Sequence, residues 1–134
     1  MKGFDFKEQI NYWKLTSNKD WKTAIILFEN RRYDSCLFFC HLALEKILKG
    51  LVVARTKKVA PYSHDLAKLA KMSKINVSKE CIDNLRIINS FNISSRYDSV
   101  KLEFYRRCTK EYTSNYLNIA KKIYLWLKKQ FPKK

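Results

Sequence analysis

The sequence predicts an all-α fold, an up-and-down bundle of five helices. Three observations carry that reading. Gly and Pro number only two each, too few for the many turns of an all-β chain. Apolar residues recur at spacings of three and four over most of the length. The stretch from about Tyr33 to Arg55 is apolar almost all round, which marks a helix at the centre of a bundle. The chain has 134 residues, 46% hydrophobic and 14% aromatic. One domain spanning 1–134 is expected, with a basic tail from about 128 to 134.

The first helix is expected from about Phe6 to Asn30, its face formed by Trp13, Trp21, Ala24, Ile25, Leu27 and Phe28. Thr16, Ser17 and Asn18 interrupt that face, and Ser17 or Asp20 is placed to cap a second segment, so a kink or break is expected there. Tyr33-Asp34 opens the second helix. Pro61 stops any simple continuation of it, and Ser63 is a good N-cap for a short third helix, His64 to about Met72. Ser78 can cap a fourth helix carrying Cys81, Ile82, Leu85, Ile87 and Ile88 towards Asn92. A polar linker, Asn92 to Ser99, precedes a last helix from about Lys101 to Lys129.

The formal net charge is +16, from 28 basic and 12 acidic residues. Such an excess attracts polyanions: nucleic acid, nucleotides or acidic proteins. Richness in Lys, Ile, Asn and Tyr is also what AT-rich codon usage produces, so part of the charge has a mutational explanation. The four cysteines, Cys36, Cys40, Cys81 and Cys108, form no CxxC pair and no zinc spacing; they read as small core residues. No secretory signal is visible, and no apolar run approaches the ~20 residues that span a bilayer. A cytoplasmic setting without membrane contact is expected, with no metal and no cofactor.

Three segments resemble the signature of the HEPN family. The central helix reads Tyr33-Asp34-Ser35-Cys36-Leu37-Phe38, then Ala43-Leu44-Glu45-Lys46-Ile47-Leu48-Lys49-Gly50-Leu51. The following loop ends Pro61-Tyr62-Ser63-His64-Asp65-Leu66. Further on, Asn89 to Arg96-Tyr97-Asp98 resembles the family's N-x-x-x-x-x-R-Y-P segment, with six residues rather than five between Asn89 and Arg96 and Asp98 in place of Pro. The resemblance runs from about Trp13 to Trp126 and implies a helical bundle, often a homodimer. Members often pair with a minimal nucleotidyltransferase in toxin–antitoxin systems; several are ribonuclease toxins or nucleotide- and RNA-binding modules. Nuclease members carry Arg followed four to six residues later by His near the last long helix. Here the only histidines are His41 and His64, and neither has that spacing. Tyr112 follows Arg107 by five, but a phenol with a pKa of about 10 is a poor base at neutral pH.

The candidate nucleotide- or phosphate-binding residues are Lys46, Lys49, His64, Arg96 and Tyr97. Arg suits bidentate phosphate contact, and an aromatic beside a guanidinium can stack a base. All but Arg96 have a plainer alternative: a solvated face for Lys46 and Lys49, helix-start hydrogen bonding for His64, anchoring of the linker for Tyr97. His41 and Glu45 share a helix face but make a poor metal site without a third ligand; a buried His41–Glu45 or Glu45–Lys49 pair accounts for them. Tyr12, Trp13 and Trp21 offer either core or a dimer face. The leading functional expectation is a nucleotide- or RNA-binding module, a homodimer serving a nucleotidyltransferase, with no catalytic residue of its own. A ribonuclease toxin and a non-catalytic adaptor or antitoxin-like protein are the alternatives.

Overall fold

The computed structural model describes residues 4–132. Among these, the helices are α1 (Phe6–Glu29), α2 (Tyr33–Thr56), α3 (Leu66–Met72), α4 (Lys79–Asn89), α5 (Asp98–Arg107) and α6 (Lys110–Lys128), with no strand. Four of them start at a residue whose side-chain oxygen takes up a free N–H of the first turn. Asp5 accepts from Glu8 N, Asp65 from Lys68 N, Ser78 from Cys81 N and Thr109 from Tyr112 N.

The all-α class stands, but there are six helices rather than five. The expected last helix is two. Cys108 leaves helical geometry (φ −79°, ψ 69°), and the Thr109 hydroxyl caps a fresh start. Apolar periodicity runs through the break because Phe104, Cys108 and Tyr112 all pack on the core, so spacing alone does not reveal it. Conversely, α1 has no break: Thr16 Oγ1 donates to Tyr12 O at 2.8 Å and Ser17 Oγ to Lys14 O at 3.0 Å. Those hydroxyls bond back along the helix and leave the ladder continuous. The cap of α3 is Asp65, not Ser63, so His64 lies in the loop before it.

Three turns are made without glycine. Arg31, Lys57 and Lys74 adopt left-handed backbone (φ 59°, 58° and 60°), a conformation that costs an L-residue roughly 1–2 kcal/mol. At Arg31 the turn closes α1, with Arg32 N donating to Leu27 O at 2.8 Å and Arg31 N to Phe28 O at 3.1 Å, the double bond of a Schellman end. It folds α2 back along α1. Gly50, inside α2, sits where a Cβ would meet Trp13 Cβ at 3.1 Å and the Phe131 ring at 3.2 Å; its missing side chain admits both.

The hub is α2, which packs on α1, α3, α4 and α6. Its Leu37, Leu44, Leu48 and Leu51 are wholly buried. Cys36, Cys40 and Cys108 are buried too; burial pushes the Cys108 thiol up to about 12, so it stays an unreactive thiol. Trp21 stacks on Tyr124, centroids 5.1 Å apart, while Tyr12, Leu15 and Ile26 of α1 are exposed. Helix α5 touches α2 only lightly. The α2–α3 and α4–α5 loops lie side by side. No helix among the described residues is long and apolar enough to cross a membrane. Of the basic tail, Lys133 and Lys134 fall outside the described residues.

Candidate nucleotide-binding groove

The two loops enclose an open groove of about 530 Å³, lined by His64, Asp65, Asn89, Asn92, Ser95, Arg96, Tyr97 and Val100. Three of the five sequence candidates, His64, Arg96 and Tyr97, therefore meet in one place. Nearly every lining side chain can donate or accept a hydrogen bond. Arg96 is exposed and has no carboxylate partner among the described residues, and Tyr97 is 85% exposed. An unpaired guanidinium and a bare aromatic ring, side by side on a loop, are what a base and its phosphate need.

Lys46 and Lys49 do not line this groove. Lys46 Nζ lies 2.6 Å from Asp20 Oδ2 of α1, tying the two long helices together. Lys49 is buried, with Nζ 3.0 Å from Glu45 Oε2 and 5.4 Å from the centre of the Trp13 ring. Each ammonium is already neutralised within the fold, and Lys49 is also held by the face of an indole.

Lys49 nonetheless connects to the groove through Glu45. The other carboxylate oxygen, Oε1, accepts from His64 Nδ1 at 2.9 Å. His41, one turn earlier, donates from Nε2 to His64 O at 3.3 Å. His41, Glu45 and Lys49 thus form a buried polar ladder up α2 that fastens the α2–α3 loop to the hub. Asn89, at the end of α4, braces the same loop: its Oδ1 accepts from Leu66 N at 3.0 Å. The Glu45–Lys49 pair is readable from i,i+4 spacing, whereas the Glu45–His64 bond joins distant segments and carries no local signal.

Burial holds the His41 imidazole below its usual range, against the opposing pull of Glu45. The group is therefore neutral in the fold and free to protonate when unfolded, so its contribution is present above about pH 6.5 and is lost as pH falls through the depressed folded value. Urea unfolding midpoints should fall from neutral pH towards pH ~5, and His41→Gln should flatten that fall. An unchanged slope in the variant would show that carboxylates alone set it. Tyr112 moves the other way. Burial pushes its phenol up, only partly offset by Arg107, which takes it further from service as a base.

A second, smaller hollow of about 360 Å³ adjoins the first, sharing Asp65 and Asn89 and adding Lys68, Lys71 and Arg86. Lys68 and Lys71 are three apart on α3, a spacing that puts both on one face; nothing in the sequence singles them out among so many lysines. Arg86 meets Asp83 only at 3.7 Å, both exposed. A strip of positive charge therefore leads away from Arg96.

The family model described as HEPN domain matches residues 10–130. No curated protein matches the chain. Among solved structures, the crystal structure of TT1696 from Thermus thermophilus is similar at TM-score 0.76 and 17% identity, over 90% of this chain and 97% of that one. The crystal structure of ST0689, an archaeal HEPN homologue, is similar at TM-score 0.72 and 17% identity, over 92% and 98% of the two chains. At such identity the likeness establishes a shared fold.

Proposed function

We propose that this chain, which belongs to the HEPN domain family, is a binding module that holds a nucleotide or RNA in the groove between His64 and Arg96-Tyr97 and does no chemistry of its own. The observation that carries the reading is the free guanidinium of Arg96 beside the exposed ring of Tyr97. The phosphate would sit on Arg96, a base on Tyr97, and a longer RNA would continue over Lys68, Lys71 and Arg86. Lys49 and Lys46 serve this site from behind, by fixing α2.

Affinity should fall steeply with salt, because phosphate contacts release counterions. Arg96→Ala should weaken binding of RNA or nucleotide by about 1–3 kcal/mol, the range for a lost charged hydrogen bond. Replacing Lys133 and Lys134 should lower only the salt slope, by about one for each phosphate no longer engaged. Equilibrium titration over a salt series checks both. Equal losses in the two variants would mean diffuse electrostatics and favour the adaptor reading. Cleavage of the RNA that disappears in Arg96→Ala would favour the ribonuclease reading instead.

The module works, on this reading, as a homodimer in the cytoplasm beside a minimal nucleotidyltransferase. The exposed Tyr12, Leu15 and Ile26 of α1 support a self-association face. Sedimentation should give twice the 16.0 kDa chain mass, and Leu15→Glu should shift it to the monomer; a wild-type monomer at tens of micromolar would contradict the dimer.

A further inference from the structure

His64 is fixed at both ends. Its carbonyl accepts from His41 Nε2, and its ring is held through Nδ1 by Glu45. Tyr62 packs edge-on against the same ring, centroids 5.6 Å apart. Glu45 itself is 6% exposed at its side chain and has Lys49 on its other oxygen. A carboxylate only accepts, so the ring proton lies on Nδ1. In the neutral ring this leaves the lone pair on Nε2, which no group among the described residues engages. The His64 side chain is 53% exposed, and it lines the groove with Arg96.

The groove thus presents a donor for phosphate and, from the adjoining loop, a fixed nitrogen acceptor. We infer that Glu45 is a positioning residue that holds His64 Nε2 as the acceptor for a ribose 2′-hydroxyl, so that the groove selects ribonucleotides over deoxyribonucleotides. The 2′-hydroxyl is the one donor that distinguishes the two sugars. Asp65 and the carboxamides of Asn89 and Asn92 border the same space, but Asp65 Oδ1 and Asn89 Oδ1 already cap or brace α3. This inference rests on the binding reading above and names the ligand class for that same groove.

The tautomer is read first, on the intact wild-type chain, by nitrogen NMR of labelled histidine. His64 should carry its proton on Nδ1 with Nε2 bare; a proton on Nε2 overturns the inference. Binding is read second, with an oligoriboadenylate, an oligodeoxyadenylate of equal length, and the two adenosine monophosphates. Wild type should prefer the ribo form by about tenfold, the worth of one hydrogen bond. His64→Ala should abolish that preference. Glu45→Gln should do the same, and the wild-type tautomer decides the matter if that variant does not fold. A preference shown by the monophosphates identifies the nucleotide as the ligand, and one confined to the oligomers identifies RNA. Equal binding of both sugars by wild type, or a preference that survives His64→Ala, overturns the inference. If Arg96→Ala binds all probes as wild type does, the groove reading itself has failed.

Discussion

Glu45→Ala should cost about 3–5 kcal/mol of folding stability, the range for removing one partner of a buried ion pair. The Lys49 side chain is 8% exposed, and Glu45 Oε2 at 3.0 Å is its anionic partner. Truncating Glu45 strands that ammonium in the core, with only the Trp13 face beside it. It also frees the His64 ring, so the α2–α3 loop loses one of its ties to α2. Glu103→Ala supplies the contrast. The Arg107–Glu103 pair has a similar distance, 3.2 Å, but side chains 48% and 75% exposed, and such pairs contribute about 0–1 kcal/mol. Urea unfolding of the two variants compares burial at nearly constant geometry. A double change, Glu45→Leu with Lys49→Met, should recover most of the loss, because an apolar pair of like volume removes the stranded charge. Equal costs for Glu45→Ala and Glu103→Ala would mean that water reaches Lys49 and that the ladder does not clamp the loop.

The helices were legible in the sequence because their apolar faces and the Ser78 cap are local signals. The Cys108–Thr109 break was not, since core-facing residues continue across it in step. Left-handed turns at Arg31, Lys57 and Lys74 lack the glycine that would have announced them. The same division holds at the groove. Arg96 and Tyr97 stood out because they sit in a polar linker, where such residues have no core to serve. Lys46 looked equally available, yet Asp20, its partner, is on α1, and no spacing along α2 predicts a contact between helices. The role of Glu45 was half visible: its bond to Lys49 is an i,i+4 pair, but its bond to His64 forms only once the α2–α3 loop has folded back. Charge partners that meet through tertiary packing are what the sequence conceals, and they decide which cations remain free for a ligand.

Phe91→Ala should also cost about 3–5 kcal/mol, as deletion of a buried ring does, and it should weaken ligand binding without touching the groove. Phe91 is wholly buried just past the end of α4. Its ring meets Phe104 at 5.5 Å, Tyr116 at 5.4 Å and Tyr112 at 6.3 Å, with the two tyrosines edge-on, a geometry that adds to simple burial. Phe104 is on α5 and the tyrosines are on α6, so this one side chain ties α4 to both later helices. The segment that follows, Asn92 to Tyr97, carries Arg96. Because α5 touches α2 only lightly, the Phe91–Phe104 contact is a main anchor for the far side of the loop. Without it the loop should sample more conformations, and ordering them on binding would reduce affinity. Phe91→Leu keeps much of the buried volume and should lose far less on both counts. The measurement is a pair of numbers for each variant, the urea midpoint and the RNA affinity in conditions where both are folded. If Phe91→Ala loses stability but binds as wild type does, the Arg96 loop is held by its own hydrogen bonds, and the aromatic cluster serves the fold alone.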